Sequence, residues 1–122
     1  MASHPLNLAL RFLLELAALA ALGVWGYRSS QGGLRTLLAV ALPLLAACVW
    51  GVFAVPHDPS RSGRAPVPVP GPLRLVLELA FFGLSTWALS RAGQPRLALL
   101  LGGLCIVHYV LSYDRIGWLL QR

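Results

Sequence analysis

The chain has 122 residues, 57% of them apolar and 11% charged, and a mean hydropathy of +0.71. That balance excludes an ordinary soluble domain, in which about a quarter of residues are charged, and predicts an integral membrane protein. The net charge of +6 comes wholly from arginine. In so apolar a chain it is read as membrane anchoring, and no nucleic-acid binding is expected.

The first apolar run, Leu6 to Tyr27, is close to the roughly 20 residues that cross a hydrocarbon core. Its small residues from Ala17 to Ala21 could imitate a signal-peptide cleavage region. However, no Lys or Arg precedes Arg11, and Arg11 and Glu15 would fall inside the signal's apolar core, so the run is read as a retained helix. The loop Arg28 to Arg35, RSSQGGLR, is short enough to force an antiparallel hairpin. The second run, Leu34 to Val55, contains Pro43, which predicts a kink that membrane helices tolerate.

The next loop, 56–72, reads PHDPSRSGRAPVPVPGP. Its alternating Pro66, Pro68, Pro70 and Pro72 favour a stiff polyproline arm without internal hydrogen bonds, lying along one end of the protein as a strap. The third run is Leu73 to Leu89. A second tight loop, SRAGQPR from Ser90 to Arg96, leads to the fourth, Leu97 to Leu120. Pro5, Pro72 and Pro95 sit where helices begin and a missing N–H costs nothing. Trp25, Trp50, Trp87 and Trp118 fall near helix ends, as in an aromatic belt. The pairs Ala17 and Ala21, Ala47 and Gly51, and Ala98 and Gly102 have the four-residue spacing that lets helices approach closely. The expected fold is therefore all-α: a single membrane domain over 1–122, an integral membrane four-helix bundle of two antiparallel helical hairpins.

Two segments nearly repeat each other, RFLLELA from Arg11 to Ala17 and RLVLELA from Arg74 to Ala80. Each sets an Arg and a Glu four residues apart inside an apolar run, where a charge at mid-bilayer costs at least about 2.5 to 3.5 kcal/mol. Two hairpins of like orientation would relate these pairs by a weak internal pseudo-symmetry, with its axis along the membrane normal. Helices one and three start at the face holding both termini, and helices two and four end there. Glu15 then lies about 13 Å along its helix and Glu78 about 8 Å along its own. Helix four brings His108, Tyr109, Tyr113, Asp114 and Arg115 toward the same layer, and Trp50, His57 and Asp58 close helix two on that side. The six arginines of this face, Arg61 and Arg64 among them, oppose four on the other. That balance is compatible with either orientation; the termini are placed in the cytoplasm.

Glu15, Glu78, His108, Tyr109, Tyr113 and Asp114 form the candidate ligand or proton site, because desolvation brings a buried carboxylate toward the range in which it exchanges a proton. Arg11, Arg74 and Arg115 are the expected ion-pair partners. The pairing of Arg11 with Glu15 and of Arg74 with Glu78 favours an internal network of structural charges over a working carboxylate. No catalytic residue is assigned, since helix four offers His and Asp without a nucleophile. His108, Cys105 and Cys48 match no metal-ligand spacing, so no metal or cofactor is expected; the cysteines are read as small packing residues. Two roles remain open: a proton-coupled small-molecule transporter, and an accessory subunit of a membrane complex. A homodimer and an unidentified membrane partner are both open.

The string WGVFAVPHDPSRSGRAPVPVPGPLRLVLELAFFG, Trp50 to Gly83, followed by HYVLSYDRIGWLL, His108 to Leu120, resembles the YrdB-like family of small bacterial four-helix membrane proteins. The likeness covers nearly the whole chain. It implies a bacterial plasma-membrane location and supplies neither a reaction nor catalytic residues.

Overall fold

A computed structural model describes residues 4–58 and 65–122. In order along the chain come α1 (Pro5–Arg28), α2 (Gly32–Val52), β1 (Phe53–Ala54), β2 (Val67–Pro68), α3 (Gly71–Arg91), α4 (Pro95–Leu111) and α5 (Tyr113–Leu120). The fold is all-helical apart from the two-residue strands. Prolines open α1, α3 and α4 within their first turns, as the sequence predicts. The His4 ring accepts a hydrogen bond from the Leu6 amide and caps α1.

Helix α1 is the hub. It packs along α2 and also meets α3 and α4, while α3 contacts α4 and α5. Its buried residues Asn7, Arg11, Leu14, Ala18 and Ala21 recur every three or four positions and form one stripe. The apolar part of that stripe joins Phe82 of α3 and Leu101, Cys105 and Tyr109 of α4 in the core. The α1–α2 contact is tight at two glycines the sequence reading did not single out. A β-carbon on Gly26 would lie 2.8 Å from the Leu38 carbonyl oxygen, and one on Gly23 would lie 3.0 Å from that of Ala39. Helix α2 runs unbroken through Pro43 and buries none of its residues.

Three helices, α1, α2 and α3, are long and apolar enough to cross a membrane; α4 and α5 together make a fourth only if they are counted as one span. The helices turn large aliphatic side chains outward, with Leu99 78% exposed and Ile106 68%. Such a surface is compatible with a multi-pass membrane protein.

The expected single helix 97–120 is in fact two, meeting at a 70° bend at Ser112. Ser112 leaves helical geometry at φ −103° and ψ 30°, and Asp114 stands in the first turn of α5, a placement that suits a helix N-terminus. The apolar continuity of the run hides this restart. The remaining helices also differ from expectation at their ends, α2 stopping at Val52 and α3 extending to Arg91.

Within the strap, Val67–Pro68 is extended and hydrogen-bonded to the chain before it, whereas 56–57 form a turn and Gly71 already begins α3. β2 pairs in parallel with β1, Phe53 opposite Val67 and Ala54 opposite Pro68, and the Val69 amide donates to the Ala54 carbonyl at 2.9 Å. Arg61 and Arg64 lie outside the described residues.

Candidate functional site

Because α1 and α3 start at the same end, the polar beginnings of their buried stripes lie together. The α3 stripe reads Arg74, Glu78, Phe82, Ser85 and Ala88. Helix α4 delivers His108 and Tyr109 from its last turn, and the 70° bend swings α5 back so that Arg115 reaches the same place.

Glu78 is the centre, with its side chain 0% exposed. Its Oε2 receives Arg74 Nε at 2.9 Å, Arg11 Nη2 at 3.0 Å and Arg115 Nη2 at 2.5 Å, while Oε1 accepts from the Tyr109 hydroxyl at 2.7 Å. One carboxylate thus binds guanidinium groups from three helices. Arg115 also grips Asp58 with both terminal nitrogens, Nη2 lying 2.9 Å from Oδ2. This fork is the planar, bidentate geometry at which arginine excels. Its Nε is buried and has no hydrogen-bond partner among the described residues.

Arg74 does a second task. Its Nη1 donates to the carbonyls of Trp50 and Phe53, at 2.5 and 2.7 Å. These lie at the C-terminal end of α2, where helix carbonyls lack partners and a cation is favoured. Helix α2 has no basic residue in its own last turn, so α3 supplies the cap. The Trp50 ring lies under the guanidinium groups of Arg74, at 4.4 Å, and Arg11, at 5.2 Å, and packs on Phe81 and Phe82.

His108 sets the polar edge. Its Nδ1 lies 3.0 Å from Asn7 Oδ1 and its Nε2 3.4 Å from Arg11 Nη1. Arginine can only donate, so Nε2 accepts and the proton sits on Nδ1, which donates to Asn7. His108 is therefore neutral in this arrangement. The Asn7 amide then donates to Ser112 Oγ at 2.8 Å and ties the first turn of α1 to the bend between α4 and α5.

Glu15 is held differently from Glu78. Its side chain keeps 24% of its exposure; Arg11 Nε stands 3.3 Å away, and the Trp50 side chain hydrogen-bonds to it. The cluster as a whole balances, with Arg11, Arg74 and Arg115 facing Glu15, Glu78 and Asp58.

The structure thus brings together Glu15, Glu78, His108, Tyr109, Arg11, Arg74 and Arg115. Tyr113 and Asp114 are exposed and stand outside the buried layer, since the break at Ser112 ends the α4 register that would have turned them inward. Asp58, expected on this face, enters the network itself. Asn7 and Ser112 were not anticipated. Asn7 was findable, lying four residues before Arg11 on the same stripe, whereas Ser112 becomes meaningful only through the bend. Among the described residues no group of three or more His, Cys, Asp or Glu could hold a metal ion. The adjoining cavities are apolar grooves. One of about 710 Å³ between α3 and α4 has Tyr109 in its wall.

A family model described as "Protein of unknown function (DUF2568)" matches residues 9–106, which is most of the chain. The chain belongs to the DUF2568 family. The match includes Arg11, Glu15, Asp58, Arg74 and Glu78; His108, Tyr109 and Arg115 lie beyond it. This DUF2568 chain is also 45% identical over 116 residues to the "Uncharacterized protein YrdB" of Bacillus subtilis (strain 168), covering 95% of the chain and 94% of that protein. No solved structure matches.

Proposed function

We propose that this DUF2568 protein is an integral, multi-pass protein of a bacterial plasma membrane, with both termini on one side and placed in the cytoplasm, and that it serves as a structural or accessory subunit. In this reading α1, α2 and α3 cross the bilayer, and α4 with α5, counted as one span bent by 70°, makes the fourth crossing, α5 turning across one end. The outward-facing leucines, isoleucines and valines meet lipid.

The observation that carries the structural role is the grip on Glu78 by three arginines from three helices. A carboxylate that exchanges protons or cations needs access and an incomplete set of partners. Glu78 has neither, and its oxygens are occupied by four donors. A charge-balanced cluster of this kind fixes the relative positions of the segments it joins, leaving one rigid, polar end on which a partner can dock. A second reading, a small-solute or proton site, rests on Glu15, which keeps partial exposure and has a single arginine beside it.

Native gel electrophoresis of gently solubilised membranes tests the accessory role. The chain should migrate in one discrete complex larger than itself, and Glu78→Gln should disperse it. Migration of the wild type as the free chain rules that role out. Reconstituted vesicles test the second reading: proton-coupled uptake that is lost on Glu15→Gln would favour it.

A further inference from the structure

At the end of the protein that holds the network, a separate cleft of about 340 Å³ opens between the strap and α5, lined by Val55, Pro56, His57, Val69, Trp118 and Arg122. We propose that this cleft binds the phosphate of an anionic phospholipid headgroup. The inference rests on the membrane reading above.

Charge is the first argument. Arg11, Arg74 and Arg115 all pair with carboxylates, whereas Arg122 makes no ion pair among the described residues. Its guanidinium carbon lies over the Trp118 ring, 4.7 Å from the centroid. That contact restrains the group while leaving N–H donors available to an oxygen anion, an arrangement suited to phosphate.

The second argument is backbone geometry. His57 adopts φ +65°, a left-handed conformation that a side-chain-bearing residue takes at some cost. The turn separates two neighbours: Asp58 goes inward to Arg115, and His57 stays exposed at the cleft wall. His57 thus shares the cleft wall with Arg122, while the Asp58 carboxylate is turned into the core. Pairing of the strap with β1 fixes the opposite wall, since the Val69 amide bonds to Ala54.

Location is the third. Trp118 is an amphipathic ring on a short helix lying across the bundle end, the level at which tryptophan meets headgroups. A phosphate held by Arg122 and His57 there would leave its acyl chains free to return to the bilayer beside α5.

The test uses the full chain in nanodiscs of phosphatidylcholine alone or with one fifth phosphatidylglycerol, with bound lipid counted by native mass spectrometry after release. Wild type should retain phosphatidylglycerol well above its share of the bilayer. Arg122→Gln, at an exposed position, should cut that enrichment about fivefold, the change expected from ~1 kcal/mol per arginine at an anionic surface, and His57→Gln, also exposed, should lower it measurably. Both variants should keep the wild-type melting midpoint in phosphatidylcholine. Retention without preference, or a preference that both variants keep, overturns the proposal while leaving the membrane reading intact. Failure of the chain to enter either nanodisc overturns both. If inorganic phosphate at millimolar concentration displaces the lipid completely, the cleft is a free-phosphate site and the lipid assignment falls.

Discussion

Replacing Glu78 by Gln is the sharpest perturbation available, because it keeps the shape of the side chain and removes one charge. In the wild type three guanidinium groups face three carboxylates; in the variant three face two. The amide has one acceptor oxygen where Glu78 had two, and its NH₂ must point at a guanidinium or at the Tyr109 hydroxyl. Removing one partner of a fully buried ion pair costs on the order of 3–5 kcal/mol. For a chain of this size that corresponds to a fall in melting midpoint of more than about 10 °C. The assay is intrinsic tryptophan fluorescence against temperature in one detergent, with Glu15→Gln as the comparison, expected to lose no more than about 1 kcal/mol because Glu15 is partly exposed and holds one arginine. Adding Arg74→Gln to Glu78→Gln leaves two complete pairs, Arg11 with Glu15 and Arg115 with Asp58. The double variant should therefore be more stable than the sum of the singles by ~1–3 kcal/mol. Equal losses for Glu78→Gln and Glu15→Gln, or strict additivity in the cycle, would refute the idea that Glu78 organises the cluster.

Gly71→Ala should dislodge α5, because a β-carbon there would stand 1.6 Å from the Leu119 carbonyl oxygen; acrylamide quenching read at Trp118, in a variant with the other tryptophans replaced by phenylalanine, should rise sharply, and unchanged quenching would contradict the packing. Asp58→Asn should loosen Arg115 without releasing it from Glu78, so hydrogen–deuterium exchange should increase over 53–58 and 112–116 while the α1–α2 hairpin keeps its protection. Cys48 is exposed on α2 and Cys105 is buried. In intact vesicles a charged, water-soluble maleimide should label neither, whereas N-ethylmaleimide in detergent should modify Cys48 much faster than Cys105. Rapid labelling of Cys48 by the charged reagent in vesicles would contradict a membrane-crossing α2.

Much of this architecture was legible in the sequence where local chemistry decides it. Prolines marked the helix starts, and the spacing of Arg11 to Glu15 and of Arg74 to Glu78 announced one-turn pairs. The topology of short loops then put all of them at one end. What escaped depended on interactions between distant segments. The two pairs look alike as strings, yet Glu78 acquires two further arginines and loses all exposure while Glu15 stays partly open, a difference made by Arg115 and by the position of α3. The bend at Ser112 was masked by the apolar residues on both sides of it. The capping of α2 by Arg74 could not be read locally either, since donor and acceptors are 24 and 21 residues apart.

The network also joins residues made at very different times. Asn7 meets Ser112 across 105 positions, and Arg11 meets His108 across 97, so the finished cluster cannot exist until the last helix has left the ribosome. Under the membrane reading, α1 must enter the bilayer long before Arg115 exists to support the site. The arginine one turn before each glutamate then acts as a travelling counter-ion: Arg11 shields Glu15 and Arg74 shields Glu78 during insertion, and the arrival of α5 converts two self-sufficient pairs into a single lock. Assembly is thereby given an order, with the final eight-residue helix closing what the first helix opened.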